Sequence, residues 1–257
     1  MAGQASRVTS PVLQVLGTPV NNVTMASALD HARHMLDGPG AKLVLATNPE
    51  KVIAARRSPP LLQALREAEL VIPDGIGVVL AARLRGVRGI ARVPGSELMP
   101  ALCGLAASEN HPVFLYGAGQ QVVGKAATLL QQQYPGLVVA GTRHGYVDSA
   151  GMPELIDQIN ASGARILFVG LGSPRQELWM MAHHHMLEHV RLIQGVGGTF
   201  DAICGHPPRA PALWRRLNLE WLYRLLSQPA RIHRQRALPV FAARVLQDLL
   251  FHHGKRT

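Results

Sequence analysis

The amino-acid sequence predicts an α/β fold: a Rossmann-like, mostly parallel sheet covered by helices, followed by a basic helical appendage at the C-terminal end. Short apolar runs alternate with stretches of helical spacing over about the first two hundred residues, which is typical of βαβ units. Glycine-rich loops follow most of these runs, and positive charge is concentrated in the last fifth of the chain. We therefore expect a core over residues 1–204 and an arginine-rich appendage over residues 205–257.

The candidate strands are short apolar runs. They are Leu43–Ala46, Leu70–Ile72, Val113–Tyr116, Leu137–Ala140, Ile166–Val169 and Leu192–Gln194. The stretches between them have the apolar spacing of helices. We predict helices within Pro49–Ala68, Glu97–Ser108, Gln121–Gln133, Pro153–Asn160 and Arg175–Glu188. Because helices of this length connect successive strands, the strands should run parallel.

The charge of the appendage favours an anionic partner. The chain has a formal net charge of +10, and ten Lys/Arg against two Asp/Glu fall between Gly205 and Thr257. Such an excess is typical of surfaces that bind nucleic acid, anionic lipid or diphosphate. Apolar residues also recur there at helical spacing, namely Leu238, Phe241, Val245, Leu246 and Leu249. This amphipathic segment either lies in a lipid interface or packs as an ordinary terminal helix on the core or on a partner subunit.

Cysteine usage and hydropathy indicate the compartment. Cys103 and Cys204 lie far apart and without metal-ligand spacing, so we expect thiols in a reducing compartment, buried in the fold. The N-terminus lacks the apolar stretch of a signal peptide, and no segment reaches the roughly 18 apolar residues of a spanning helix. The sequence thus predicts a cytoplasmic protein whose contact with the inner face of the cytoplasmic membrane is peripheral.

The loops that follow the strands define the candidate site, because ligands of such sheets bind beyond the carboxyl ends of the strands. These loops begin at Thr47-Asn48, Pro73–Gly77, Gly117-Ala-Gly119, Gly170–Glu177 and Gly195-Val-Gly197-Gly198. Their glycines let the backbone approach an anion, and a helix that starts after Gly119 offers free N–H groups to a diphosphate. NAD is disfavoured, because the third glycine of the Gly117 loop comes late, at Gly124, and no acid for the ribose follows.

Asp74 is the carboxylate that we single out as a general base. It follows an apolar strand in a Pro-Asp-Gly-Ile-Gly turn, where a partly desolvated carboxylate can accept a proton from a hydroxyl nucleophile. The alternative is that Asp74 only caps the next helix. Asp201 in Thr199-Phe-Asp201 is expected to be structural, since it can tie down the preceding glycine turn.

The sequence predicts neither a metal site nor a cofactor. It contains no Asp-x-Asp pair, so charge neutralisation on a diphosphate would fall to arginines and backbone amides. The run His183-His184-His185 lacks metal-ligand spacing, and adjacent residues of a helix cannot face one ion. We interpret these histidines as solvated surface.

The ordered motifs of the chain resemble the WecG/TagA/CpsF family of bacterial glycosyltransferases from about Asn21 to Arg236. The motifs are Asn48-Pro-Glu50, Ile72-Pro-Asp-Gly-Ile-Gly77, Arg92-Val-Pro-Gly-Ser96, His144-Gly-Tyr146, Gly170-Leu-Gly-Ser-Pro-Arg-Gln-Glu177, Gly195-Val-Gly-Gly-Thr-Phe-Asp201, Arg209-Ala-Pro211 and Leu219-Glu-Trp-Leu-Tyr-Arg224. The resemblance implies an inverting, metal-independent enzyme. Its donor would be UDP-N-acetylmannosamine or the corresponding uronic acid, and its acceptor N-acetylglucosamine linked through diphosphate to undecaprenol. The product would enter a surface polysaccharide or teichoic acid-type polymer.

The resemblance also implies roles for individual residues. Asp74 would deprotonate the acceptor hydroxyl, and Asn48, Arg92 and Gln176 would line the same pocket. Arg224, Arg231 and Arg234 match arginines that the family brings over the active site to meet phosphates, so the appendage would serve both membrane contact and active-site closure. Where the family usually has threonine this chain has Ala46. Either Thr47 replaces that threonine through a shifted strand end, or the contact is missing in this chain.

Two other functions stay open at this point. The basic appendage also fits a nucleic-acid-binding module, although aromatic residues make up only 5% of the chain and no nucleic-acid-binding motif occurs. The glycine loops fit an NAD-dependent oxidoreductase, although the acid for the ribose is missing. We favour the glycosyltransferase without a nucleic-acid partner, and the sequence leaves open whether it is a homo-oligomer.

Overall fold

The structure is a computed structural model that describes residues 12–206, 211, 214, 222–223 and 236–253. Within these residues, six parallel strands form one sheet in the order β4-β3-β8-β7-β5-β6, and an antiparallel hairpin, β1-β2, forms a second sheet beside β4. The predicted α/β fold with a mostly parallel sheet is confirmed. The predicted boundary after residue 204 stays a prediction.

The strands and helices have the following bounds. The strands are β1 Val12–Val15, β2 Thr18–Asn21, β3 Lys42–Thr47, β4 Leu70–Pro73, β5 Val113–Gly117, β6 Val139–Arg143, β7 Ile166–Gly170 and β8 Leu192–Gly195. The helices are α1 Met25–Asp37, α2 Pro49–Ala55, α3 Pro59–Glu67, α4 Ile76–Leu84, α5 Gly95–Glu109, α6 Gln120–Gln133, α7 Met152–Ala161, α8 Arg175–His183, α9 Thr199–Ile203 and α10 Ala237–His253. A 3-10 turn, His184–Met186, follows α8.

All six predicted strands are present, and the differences from prediction have local causes. The stretch Pro49–Ala68 is two helices, because the Ser58 side chain caps Leu61 N–H and starts α3 afresh at Pro59. Strand β6 begins two residues later than predicted, since Leu137 belongs to the turn after α6. The hairpin, α1, α4 and α9 were not predicted. Helix α4 is apolar along most of its length, so its sequence has little helical periodicity.

The main sheet is covered on both faces. Helices α1, α5 and α6 pack on one face over residues such as Leu115 and Phe168. Helices α3, α7 and α8 pack on the other over residues such as Phe114 and Val169. Neighbouring residues of one strand therefore enter different clusters, and both kinds are apolar. This double burial explains why the strands appear in the sequence as continuous apolar runs.

Helix α10 packs against the body of the protein. Phe241 and Val245 are buried in a third apolar cluster that also contains residues of the hairpin, α2 and α4. Leu249 packs against the same cluster, whereas Leu246 is 59% exposed. The sequence left open whether this segment lies in a lipid interface or packs on the protein. Phe241 and Val245 pack on the core. The Phe241 ring fills the space beside α2 and α4.

The two cysteines are free thiols within the fold. Cys103 is buried, and burial raises the pKa of its thiol to about 12, while Cys204 is half-buried. In the part of the chain that the structure describes, every helix is too short or too polar to cross a bilayer.

Candidate active site

A cavity of about 1060 Å³ opens at the carboxyl ends of β3, β4, β7 and β8. The strand order explains why the cavity lies here. From β3 the chain continues to β4 on one side of it, whereas β8, its neighbour on the other side, is the last strand of the sheet in the sequence. Crevices in open α/β sheets form where the order reverses in this way. All five of the predicted loops lie at one edge of the sheet, and four of them line the cavity.

Asp74 lies in the cavity wall directly after β4. Its Oδ1 accepts a hydrogen bond from the N–H of Gly95 at 3.0 Å, and Gly95 is the first residue of α5. Helix α4, the next helix along the chain, starts with no side-chain cap. Asp74 is therefore attached to the N-terminus of α5 rather than to that of α4, and the partial positive charge of that terminus favours a carboxylate.

Arg92 lies beside Asp74. The guanidinium Nε donates to the main-chain oxygen of Asp74 at 2.9 Å, and the half-buried side chain lines the cavity. The main chain near Arg92 is fixed as well, since Val93 N–H donates to the oxygen of Pro73 at 2.9 Å. The loop before α5 thus holds a cation next to the candidate base.

Asn48 and its neighbours hold the other side of the Asp74 loop. Asn48 caps α2 by accepting from Lys51 N–H at 2.9 Å, and Pro49 occupies the first helical turn. Gly77 lies so close to Pro49 that a Cβ there would be 2.8 Å from Pro49 Cγ. Only glycine allows this approach. The Pro-Asp-Gly-Ile-Gly turn therefore serves close packing onto Asn48-Pro49, which places Asp74 and Asn48 in one cavity.

Thr47 is not brought into the cavity. Its side chain is fully buried, and its Oγ1 has no hydrogen-bond partner among the described residues. Ala46, one residue earlier, lines the cavity instead. Because side chains alternate between the two faces of a strand, a threonine shifted by one place points to the other face. The side chain of Thr47 therefore does not occupy the place in the cavity where the family has its threonine side chain.

Gln176 lies in the wall and is hydrogen-bonded at both ends of its amide. Its Nε2 donates to Glu177 Oε1 at 3.1 Å, and its Oε1 accepts from Gly197 N–H at 2.9 Å. The carboxylate of Glu177 can only accept, so it fixes which way the amide points. Gln176 thereby connects the start of α8 to the glycine loop after β8.

A buried ion pair supports this arrangement. Lys51 Nζ lies 2.6 Å from Glu177 Oε1, and the two side chains are 8% and 0% exposed. Burial raises the pKa of the Glu177 carboxyl, but the charge of Lys51 and hydrogen bonds from Lys51 and Ser173 outweigh it, so the pKa is lowered overall. The pair joins α2 to α8 across the end of β8.

The predicted glycines divide into two groups. Gly195, Gly197 and Gly198 line the cavity. Gly117 and Gly119 do not, because β5 lies on the far side of β7. Gly117 has φ +140°, and a Cβ there would lie 2.3 Å from the main-chain oxygen of Gly170. Position 117 is therefore glycine because the loops after β5 and β7 are in close contact there.

The remaining predicted residues lie elsewhere. Arg224, Arg231 and Arg234 fall outside the described residues. The run His183–His185 lies at the end of α8 and in the 3-10 turn rather than in mid-helix. Among the residues described, His, Cys, Asp and Glu nowhere form a group of three that could hold a metal ion.

Sequence reasoning missed Lys51, Glu177 and the apolar part of the cavity. The signal for Lys51 is a charge that directly precedes the apolar residues of the short helix α2. Glu177 stands out in the sequence only as the last residue of a glycine-rich motif. The apolar lining comes from α2, α3, α4 and α10, and it includes Ile53, Leu61, Leu80, Ala81, Leu84, Leu238, Phe241, Ala242, Val245 and Leu246.

The fold and the cavity together define an α/β protein whose site lies at the carboxyl edge of a parallel sheet. A family model described as "Glycosyl transferase WecG/TagA/CpsF family" matches residues 13–255. The chain belongs to the WecG/TagA/CpsF glycosyltransferase family. It is therefore a hexosyltransferase of cell-surface polysaccharide biosynthesis that uses a nucleotide-sugar donor and a lipid-linked acceptor. This membership decides between glycosyl transfer and the two alternatives left open by the sequence.

Proposed function

We propose that the protein transfers an N-acetylmannosamine-type sugar, either N-acetylmannosamine or its uronic acid, from UDP to polyprenyl-diphosphate-linked N-acetylglucosamine. The transfer inverts the anomeric centre and needs no metal ion, and it takes place at the inner face of the cytoplasmic membrane. The observation that carries the proposal is the placement of Asp74 in the cavity wall, with Oδ1 on the N-terminus of α5 and Arg92 alongside.

Asp74 acts as the general base. The acceptor hydroxyl oxygen attacks the anomeric carbon of the donor while its proton passes to the Asp74 carboxylate. The bond between that carbon and the diphosphate oxygen breaks, and UDP leaves with the bonding electrons. One displacement of this kind inverts the anomeric configuration.

The charge that develops on UDP is met by arginines. Arg92 lines the cavity, and the absence of an Asp-x-Asp pair from the sequence supports neutralisation by guanidinium groups and main-chain N–H groups. Arg224, Arg231 and Arg234 of the appendage supply further positive charge when it closes over the site. Asn48 and Gln176 orient the two substrates from opposite sides of the cavity.

The test combines a substrate panel with one variant. The purified protein is given lipid-diphosphate-linked N-acetylglucosamine and a set of UDP sugars, and the product is identified by mass and its linkage by NMR. We expect one N-acetylmannosamine-type addition with inverted configuration. Retention of configuration, or transfer of a different class of sugar, would contradict the proposal.

Asp74→Asn tests the base. The change should lower kcat by about 10²–10⁴-fold, because the amide cannot take the proton, while UDP affinity stays near that of the wild type. Asp30→Asn, which removes an exposed carboxylate paired with Arg33, is the control and should leave kcat unchanged. An Asp74→Asn protein with more than half of the wild-type activity would remove Asp74 from the mechanism.

A further inference from the structure

The cavity has a polar part and an apolar part. Within the described part of the chain, its charged lining residues are Glu50, Lys51, Arg57, Asp74 and Arg92, and none of them comes from α4 or α10. Helix α4 contributes Ile76, Gly77, Leu80, Ala81 and Leu84, and α10 contributes only apolar residues. We call the part lined by α4 and α10 the apolar branch.

The charged residues Arg83 of α4 and Arg244 and Asp248 of α10 are not among the residues that line the cavity. Arg83 donates to the main-chain oxygen of Ile90 at 3.0 Å. Arg85, which follows α4, forms an ion pair with Asp248 of α10 and thereby joins the two helices. Among the residues that the structure describes, the lining of the apolar branch therefore contains no charged side chain.

Three leucines of the apolar branch remain exposed. Leu80 and Leu84 are 50% and 59% exposed, and Leu246 is 59% exposed, although all three line a concave surface. Leu80 and Leu84 are four residues apart in α4 and so lie on one face of that helix. Clustered apolar side chains in a cavity favour an apolar ligand, because water there is displaced at little cost.

We propose that the apolar branch binds the isoprenoid units of the lipid-linked acceptor that are nearest to its diphosphate. This inference rests on the proposed acceptor. The nucleotide sugar is polar throughout, so of the two substrates only the acceptor carries an apolar chain. The branch is continuous with the polar part through Gly75 and Ile76, which directly follow Asp74, so one molecule can place its sugar at Asp74 and its chain along α4 and α10.

The same helix offers a comparison between chain binding and general membrane contact. Leu250 and Phe251 are 78% and 70% exposed, and they are not among the residues that line the cavity. A bilayer surface would contact these two residues as readily as Leu246. A chain bound in the apolar branch depends on Leu80 and Leu246 and not on Leu250 or Phe251.

The experiment measures KM in buffer without vesicles or detergent. The acceptors are N-acetylglucosamine diphosphates that carry a methyl, a geranyl or a farnesyl group, each used below its critical micelle concentration. For the wild type, we expect KM to fall at least tenfold from the methyl to the farnesyl acceptor. Leu80→Ser combined with Leu246→Ser should abolish most of this difference and leave KM for the UDP sugar unchanged.

A second variant and a control make the result specific. Ala242→Trp fills the branch with bulk instead of removing apolar surface, and it should raise KM for the farnesyl acceptor while sparing the methyl acceptor. Leu250→Ser combined with Phe251→Ser should behave as the wild type with all three acceptors. Circular dichroism and the thermal midpoint establish that each variant is folded.

The outcomes separate the two proposals. A wild-type KM that does not depend on chain length overturns the chain site, as does an equal loss in the Leu250→Ser, Phe251→Ser control. Failure of all three acceptors while another sugar acceptor is used overturns the proposed function instead. Transfer to the methyl acceptor with no gain from the farnesyl group would leave the proposed function standing and refute only the apolar branch.

Discussion

Replacing Glu177 with glutamine removes the charge that balances Lys51 while keeping the size of the side chain. The two groups lie 2.6 Å apart and are 0% and 8% exposed, so water cannot take over the role of the lost carboxylate. Breaking a buried pair from one side typically costs about 3–5 kcal/mol, because the remaining charge stays buried without a partner. For a chain of this size, that corresponds to a fall in the thermal midpoint of about 6–20 °C.

The assay is a double-mutant cycle in urea with Glu177→Gln, Lys51→Met and the double variant. Each single change should lower the free energy of unfolding by several kcal/mol. The double variant should lose much less than the sum of the two, since it leaves no unpaired charge. A coupling energy below about 0.5 kcal/mol, the size found for exposed pairs, would refute the claim that this buried ion pair stabilises the fold.

The pH dependence gives an independent check on the same pair. The pKa of Glu177 is lowered in the folded protein, so its stabilising contribution is fully present above the ordinary carboxyl pKa and is lost as the pH falls through the lowered value. The difference in unfolding free energy between wild type and Glu177→Gln should therefore be constant at neutral pH and shrink below about pH 4.5. A difference that instead disappears between pH 8 and pH 6 would show that another group is responsible.

Three further predictions address the donor, the strand end and the appendage. Activity should persist in excess EDTA, because arginines and main-chain N–H groups stabilise the leaving group; loss that magnesium or manganese restores would contradict this. Thr47→Val should raise the free energy of unfolding by about 1 kcal/mol in urea titrations and leave both KM values unchanged, since the buried hydroxyl has no partner among the described residues. A higher KM would return Thr47 to the substrate site. Arg224→Gln combined with Arg231→Gln should lower kcat even with a soluble acceptor analogue, because these arginines are proposed to meet diphosphate inside the site; an effect confined to vesicle assays would assign them to the membrane instead.

The candidate site illustrates what local patterns can predict. Strand ends followed by glycine and short polar residues mark the edge where ligands bind, and this pattern alone predicts that Asp74, Asn48 and Gln176 share one edge of the sheet. These features depend only on a residue and its near neighbours in the chain. The family motifs are local in the same sense, and the match over residues 13–255 agrees with them.

Other features depend on which strands become neighbours. The loops at Gly117 and Gly195 look alike in the sequence, yet only the second lines the cavity, because β8 lies beside β3 while β5 lies beyond β7. Nothing in either loop encodes that order, which follows from how the helices pack between distant strands. The position of Thr47 outside the cavity lining has a related cause, since a shift of one residue in a strand turns the side chain to the opposite face.

By itself, the sequence determined the α/β class, the sheet edge at which the loops of the candidate site meet and the basic character of the appendage. Each of these follows from periodicity, turn residues or charge within a short stretch of chain. Only the tertiary structure decided that Lys51 pairs with Glu177, that Phe241 is a packing residue, and that α4 and α10 line an apolar branch. Lys51 and Glu177 are more than a hundred positions apart, so no local pattern pairs them. The helical spacing of apolar residues in α10 fits a helix packed on the core as well as a helix in a lipid interface, so the spacing cannot decide between them.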